Sequence, residues 1–347
     1  MTLKTRKVKV GDIFIGGDSP VSIQTMYDRP LSAIEENFSL RMNKLKSMGC
    51  DIIRFSYPDI REHEQLKYVV DNCPMPVVAD IHFDYRNALD CIDCGVSALR
   101  INPGNIGERW KTEEVIKKCL DNNVAVRIGL NSGSLPHNIK GSDMATLMTD
   151  TALEYISWFE NLGFYDTVVS LKASAPDKAY LAYRKFSQMS DYPLHLGVTE
   201  AGGAVTSCVR STITLSKLLD EGIGDTLRYS ITGKIEDEVI AGTELLKSMG
   251  LRKKGTRIVA CPMCGRKSFD SQAFLAEVQS DILSCGKDIC VAIMGCQVNG
   301  PGEAKGADIA VCGIGKKAYI YKNGEIYREV SSENAREELL KVISEYE

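Results

Sequence analysis

Eight times between Val21 and Thr232 a short apolar run is followed by a helical pattern. No other feature limits the possible folds so sharply. The runs are Val21–Thr25, Asp51–Ser56, Val77–His82, Ala98–Pro103, Val124–Asn131, Thr167–Ser174, Leu194–Glu200 and Thr226–Thr232. Between them apolar residues recur at helical spacing, as at Phe38, Met42 and Leu45, or Leu153, Ile156 and Phe159. Gly49, Gly95, Gly163 and Gly222 stand where helices should end. Eight near-even strand–helix units within about 250 residues have the count and size of a closed (β/α)8 TIM barrel. A doubly wound open sheet is the alternative, but no dominant glycine fingerprint marks it.

The flanks follow the same logic. Lys7-Val8-Lys9-Val10 alternates charged and apolar side chains, and Ile13-Phe14-Ile15 returns after a Gly11-Asp12 turn, which predicts a hairpin. Extra chain between Asn131 and Thr167 predicts a loop over the barrel mouth. The last barrel helix is expected from about Glu236 to Met249, and the polar Arg252-Lys253-Lys254-Gly255 is the expected linker. The division is therefore 1–251, a barrel, and 252–347, a small C-terminal α/β domain. In the second part strands are expected before Cys261 and over Cys290–Met294, with a helix over Ser271–Ser280. A hairpin over Tyr319–Tyr327 turns on Asn323-Gly324. A final helix covers Ser332–Glu345, capped by Ser331 or Ser332.

With 44% hydrophobic and 25% charged residues, the 347-residue chain has the balance of an ordinary globular protein. It has no apolar run long enough for a membrane span and no secretion signal at its N-terminus, so a cytoplasmic protein is expected. A net charge of -4 argues against a general nucleic-acid binder.

Barrel active sites lie at the C-terminal ends of the strands. There this chain places charged and polar groups: Arg54, Asp80, His82, Arg100, Asn102, Arg127, Asn131, Lys172, His195, Glu200, Arg228 and Ser230. Five basic residues on five strands would repel one another by several kcal/mol in a poorly solvated mouth, and Asp80 and Glu200 offset only part. A multiply charged anion is the expected occupant. Phosphate or diphosphate suits the arginine forks, with internal ion pairs as the alternative.

Twelve cysteines are many for a reducing compartment. Cys50, Cys73, Cys119, Cys208 and Cys312 lie in or beside apolar segments and read as small buried hydrophobes. Cys91-Ile92-Asp93-Cys94 falls inside a helical pattern without a third thiol nearby. Cys261-Pro262-Met263-Cys264 differs. A third thiol, Cys296, lies farther along the chain, and Glu303 follows it behind a Gly/Pro-rich turn. Three thiolates and one carboxylate suit an iron–sulfur cluster with one iron open to chemistry. Cys290 and Cys296 bracket one strand and should lie too far apart to share a cluster. Cys285 stays open as a fourth ligand. Zinc would want four tight nitrogen or sulfur ligands, which this domain does not offer.

The stretches Cys-Pro-Met-Cys-Gly-Arg at 261–266 and Gly-Cys-Gln-Val-Asn-Gly-Pro-Gly-Glu at 295–303 resemble the cluster signature of the 4-hydroxy-3-methylbut-2-en-1-yl diphosphate synthase family. So do Ile15-Gly16-Gly17-Asp18, Ala79-Asp80-Ile81-His82-Phe83, Arg100-Ile101-Asn102-Pro103-Gly104, Arg127-Ile128-Gly129, residues 195–202 and Arg228-Tyr229-Ser230. A mild departure is Gln24-Thr25-Met26, where Ser often follows the Gln, and it is expected to bear little on the chemistry. The resemblance implies reductive opening of 2-C-methyl-D-erythritol 2,4-cyclodiphosphate to 4-hydroxy-3-methylbut-2-enyl diphosphate, in non-mevalonate isoprenoid synthesis. It implies one 4Fe-4S cluster per chain on Cys261, Cys264, Cys296 and Glu303, with flavodoxin or ferredoxin as electron donor.

On that basis Arg54, Arg100, Arg127, Lys172, Arg228 and Ser230 are expected to grip the diphosphate. Asp80, His82, Asn102 and Asn131 should orient hydroxyls or the basic groups. Glu200 is the expected proton donor, with His195 second, and Asn299 is placed to bridge cluster and substrate. A barrel helix returns the chain to the bottom face, away from the site, so a short linker predicts a head-to-tail homodimer in which each cluster domain serves the partner's barrel. Two other readings compete: a phosphate-binding barrel enzyme with a structural metal domain, and a non-catalytic iron–sulfur sensor.

Overall fold

The structure, a computed structural model, describes residues 4–134, 143–296 and 300–346. It divides into two compact units, Met1–Arg252 and Lys253–Glu347.

The first unit begins with the antiparallel hairpin of β1 (Val8–Val10) and β2 (Ile13–Ile15). Eight parallel strands follow: β3 (Ser22–Met26), β4 (Ile52–Ser56), β5 (Val77–Asp80), β6 (Ala98–Ile101), β7 (Ala125–Asn131), β8 (Thr167–Lys172), β9 (His195–Leu196) and β10 (Thr226–Leu227). Their order is β8-β7-β6-β5-β4-β3-β10-β9. The ring closes where Val169 pairs with Leu194 and its N–H donates to the Pro193 carbonyl at 2.9 Å. The expected (β/α)8 barrel is thus present, and Gly49, Gly95, Gly163 and Gly222 each take positive φ at a helix end. The hairpin plugs the lower end: Val8, Val10 and Ile15 pack on Ile52, Val78, Ala98, Ala125 and Val168. Polar chemistry is therefore confined to the upper end.

Two strands are shorter than the apolar pattern suggests. β9 and β10 each span two residues, and the chain beyond them bonds irregularly. Thr199 N–H donates to Ala173, and Thr232 N–H to Gly202. Glu200 holds a left-handed φ of 53°. A non-glycine residue in that region carries strain that functional sites often tolerate. Of the extra chain after β7, a 3-10 turn over Ser132–Ser134 and the start of helix Met144–Asn161 are described; 135–142 lie outside the described residues.

Arg252 ends the first unit beside the lower strand ends. Its guanidinium donates to the Gly49 carbonyl at 2.8 Å and the Asp51 carboxylate at 2.7 Å, just before β4.

The second unit is a five-stranded sheet: β11 (Arg257–Ala260), β12 (Cys290–Met294), β13 (Ile309–Ile314), β14 (Lys317–Lys322) and β15 (Glu325–Ser331), hydrogen-bonded in that order. The first three strands are parallel and the last two antiparallel. Alternate residues divide its faces. Val291 and Ile293 join Phe274, Val278 and Leu339 under helices Ser271–Leu283 and Ala335–Ser344. Ala292 and Met294 face Ala304 and Ala307 around helix Gly300–Lys305. The hairpin turns on Asn323 and Gly324, both at positive φ, as Asn-Gly favours. Ser331 Oγ caps the C-terminal helical segment by accepting from Asn334 N–H.

Gly313 lies inside β13, where a β-carbon would fall 2.0 Å from the Phe269 ring. One local reading is corrected. The Gly/Pro-rich stretch before Glu303 was expected as a turn, but it starts a helix. No helix among the described residues is long and apolar enough to cross a membrane.

Candidate active site

Parallel register brings the polar strand residues together. Met26 lies beside Arg54 across β3 and β4, Asp80 beside Arg100, Arg100 beside Arg127, and Asn131 beside Lys172. Arg54, Asp80, His82, Arg100, Arg127, Asn131, Lys172, Arg228 and Ser230 line one cavity of about 190 Å³, together with Gly129, Ser170 and Thr199.

Its floor is cationic and buried. Arg127 is buried and donates through Nη1 to Gln24 Oε1 at 2.5 Å, while its Nε and Nη2 have no hydrogen-bond partner among the described residues. Burial first, then the charges of Arg54 and Arg100, lowers its pKa well below the usual arginine value. Arg54 is lowered to about 10, mainly by burial, with Asp80 opposing and Arg228 and Arg100 adding to the fall. Lys172 is buried, and burial followed by Arg228, Arg54, Arg127 and Arg100 holds its ammonium well below the usual 10.5. Leaving buried donors unpaired costs about 1–3 kcal/mol each. An anion accepting from these groups would relieve both that cost and the mutual repulsion.

Two glycines give the cations room. A β-carbon on Gly129 would sit 2.2 Å from Arg100 Nε, and one on Gly197 would sit 2.9 Å from Lys172 Cε. Arg100 is fixed between Asp80 Oδ1 at 3.3 Å and the Gly129 carbonyl at 2.9 Å. Asp80 also lies 3.7 Å from Arg54. Burial pushes its carboxyl up, but Arg54, Arg100, His82 and Arg127 outweigh that and hold it below the usual range.

Three expected site residues lie apart from the lining. His195 is fully buried on β9, with Nδ1 3.5 Å from Thr226 Oγ1. Burial, then Arg127 and Lys172, lowers its pKa well below the usual 6.5. Asn102 caps helix Pro103–Ile106, accepting from Gly104 N–H at 3.2 Å. Glu200 is exposed and follows cavity-lining Thr199. Asn299 lies outside the described residues.

Sequence reasoning missed two contributors. Glu238, on helix Ile235–Ser248, is buried and holds Arg228 with both carboxylate oxygens. The uncharged strand β3 also matters. Gln24 accepts from Arg127, Thr25 donates to Glu238 at 2.7 Å, and Met26 Sδ lies 2.9 Å from Arg54 Nη2. A hydroxyl is what position 25 supplies, and Ser would supply it as well.

In the second unit Cys261 follows β11, and its N–H donates to the Ile293 carbonyl at 2.9 Å. Cys296 follows the adjacent β12 by two residues and is buried. Cys264 is exposed on the returning loop, whose Ser268 N–H bonds Gly295. Met263, between the first two thiols, holds a left-handed φ of 61°. Cys261 packs on the face covered by the helix that carries Glu303. Thus Cys261 and Cys296 emerge from the C-terminal ends of neighbouring parallel strands, and a carboxylate helix covers the same face. This donor set fits a cluster whose ligands bind separate irons. Cys285 lies by Thr256, before β11, and Cys290 opens β12 with its N–H on Asp308. Both sit at the opposite strand ends from Cys261 and Cys296.

Cys94 of the second CxxC caps helix Tyr85–Asp93. Its sulfur lies 3.4 Å from His63 Nδ1, which also meets Asp90 at 2.9 Å. Tyr57 completes the group by donating to Asp90.

Fold and site together define a (β/α)8-barrel enzyme with a cationic cavity, joined to a cysteine-bearing α/β unit. Residues 5–243 match the model of the GcpE TIM-barrel domain and residues 257–345 that of the GcpE C-terminal domain. The chain belongs to the GcpE family. It is 45% identical over 343 residues to 4-hydroxy-3-methylbut-2-en-1-yl diphosphate synthase (flavodoxin) of Clostridium perfringens, covering 98% of each chain. It is 41% identical to the enzyme of that name from Geobacter sulfurreducens, covering 98% of this chain and 97% of that one. The barrel also resembles dihydropteroate synthase of Thermus thermophilus, with a TM-score of 0.52 and 14% identity, over 71% of this chain and 98% of that one. That likeness concerns the fold alone.

Proposed function

We infer that this chain is an iron–sulfur oxidoreductase that opens 2-C-methyl-D-erythritol 2,4-cyclodiphosphate reductively, giving 4-hydroxy-3-methylbut-2-enyl diphosphate. The observation that carries the reading is the cavity: five cationic side chains around one space, with two buried Arg127 nitrogens that have no partner among the described residues. Two linked phosphoryl groups match that charge. The named relatives supply the reaction class.

Arg54, Arg100, Arg127, Lys172 and Arg228 bind the phosphoryl oxygens, with Ser230 donating a neutral hydrogen bond. Asp80 keeps Arg54 and Arg100 apart and aimed inward. His82 and Asn131 orient the carbon skeleton's hydroxyls. Glu200 delivers the proton to the departing hydroxyl, because it is exposed beside lining residue Thr199, whereas His195 is enclosed. Asn102 acts through its helix cap, and Asn299 stays assigned to the cluster side. A 4Fe-4S cluster on Cys261, Cys264, Cys296 and Glu303, when bound, supplies single-electron transfer and a Lewis-acidic iron whose hard carboxylate ligand is the most exchangeable.

No flavin or nicotinamide motif occurs in the chain, so flavodoxin or ferredoxin delivers the two electrons. The chain leaves the barrel at the lower strand ends, pinned by Arg252, while the cavity opens at the upper ends. That supports a head-to-tail homodimer with shared sites.

The test is anaerobic turnover. Protein reconstituted with iron and sulfide should be brown, and should release hydroxymethylbutenyl diphosphate from the cyclodiphosphate only when reduced flavodoxin or a chemical reductant is present. A colourless zinc protein that turns over another phosphate ester would replace this reading with a phosphate-binding barrel enzyme carrying a structural metal.

A further inference from the structure

Arg228 is the cavity cation with a dedicated counter-ion outside the lining. Glu238 reaches it from helix Ile235–Ser248 and is 2% exposed. Its Oε2 accepts from Arg228 Nε at 2.9 Å and from Thr25 Oγ1 at 2.7 Å. Its Oε1 accepts from Arg228 Nη2 at 2.8 Å and from the Ile231 N–H at 3.1 Å. Four donors converge on one carboxylate, which satisfies it fully away from water.

The arrangement does three things. The two-point grip fixes the plane of the guanidinium and uses the Nε hydrogen and one Nη2 hydrogen, so that Nη1, 3.9 Å from Met26 Sδ, and the second Nη2 hydrogen are left for a ligand. The bond to Ile231 anchors the segment that carries cavity-lining Ser230. The hydroxyl of Thr25 ties the carboxylate to β3, so its rotamer does not depend on Arg228 alone. A free arginine would lose rotamer freedom on binding an anion; this one has lost it already.

We propose that Glu238, held by Thr25, is a positioning residue that pre-sets Arg228 and the Ser230 segment for one phosphoryl group of the substrate. The proposal rests on the cavity being the cyclodiphosphate site. Removing a negative charge beside a cationic cavity would by itself strengthen anion binding. Pre-organisation predicts the opposite sign.

The experiment is calorimetric titration of cluster-loaded enzyme with the cyclodiphosphate under anaerobic conditions, alongside KM and kcat. Glu238→Gln should weaken binding about tenfold, about 1.4 kcal/mol, and raise KM by a similar factor with kcat within about twofold. Thr25→Val, which leaves every charge in place, should weaken binding about threefold, and Thr25→Ser should restore it. If Glu238→Gln fails to fold, the Thr25 pair decides. Unchanged or tighter binding by folded Glu238→Gln, or equal binding by Thr25→Val and Thr25→Ser, would overturn the proposal. Failure of the wild-type enzyme to bind cyclodiphosphate would instead overturn the cavity reading itself.

Discussion

Lys172 lies so close over Gly197 that a β-carbon on the glycine would stand 3.0 Å from its Nζ and 2.9 Å from Cε. The same β-carbon would meet the Arg228 carbonyl at 3.0 Å, and that backbone atom yields less readily than a lysine tip. Gly197→Ala should therefore fold but displace Lys172 from the cavity. Overpacking of this kind costs about 1–3 kcal/mol. We expect a lowered unfolding midpoint and cyclodiphosphate affinity reduced about tenfold, measured by thermal unfolding and calorimetry. Wild-type affinity in a folded Gly197→Ala enzyme would show that Lys172 does not meet the ligand.

Proton linkage tests the same lysine independently. Burial and four arginines hold its pKa below 10.5. An anion in the cavity favours the charged ammonium and raises that pKa. Between the free and bound values, the complex holds more protons than the free enzyme, so binding takes protons up and affinity falls as pH rises through that window. The phosphoryl groups of the cyclodiphosphate carry only strongly acidic protons and do not titrate there. Calorimetry at mildly alkaline pH, in two buffers of different ionisation enthalpy, should show net proton uptake by wild type and much less by Lys172→Met. Equal uptake by both would move the titrating group elsewhere.

What could be read in advance follows from burial and charge. Apolar runs and helix-ending glycines placed the barrel strands because a parallel sheet is buried on both faces and leaves few alternatives. The cations of β4, β6, β7 and β8 were legible because charge inside an apolar run is costly without a reason. Glu238 was not. It follows Glu236 and Asp237 in the first turn of its helix, where acids ordinarily complement the helix dipole in solvent. Gln24 and Met26 carry no charge and gave no signal. A strand pattern does not give depth: His195 is fully buried, paired with Thr226 at the start of a two-residue strand, and is not among the residues that line the cavity.

The cysteine assignment makes a prediction by strand polarity. Cys261 and Cys296 follow the C-terminal ends of β11 and β12, whereas Cys285 and Cys290 sit at the opposite ends. After anaerobic reconstitution, Cys264→Ser and Cys296→Ser should lose most of the bound iron and the broad visible absorption. Cys285→Ser and Cys290→Ser should keep both within about 20% of wild type. Retention by Cys264→Ser together with loss in Cys285→Ser would transfer the ligand role.

The last prediction concerns which chain serves which barrel. Arg252 holds the exit of the first unit against Gly49 and Asp51, at the strand ends opposite the cavity. A short linker leaving from there favours donation of the cysteine-bearing unit to a second copy by two-fold symmetry. Arg100→Ala disables the cavity and Cys296→Ser disables the thiol set, so each homodimer should be inactive. In a heterodimer with shared sites, one of the two sites combines an intact barrel with an intact cysteine unit. Co-expression with two affinity tags, followed by tandem purification, should yield heterodimers with up to half of wild-type turnover. If each barrel used its own cysteine unit, every site in that heterodimer would carry one defect, and purified heterodimers would stay as inactive as the parents.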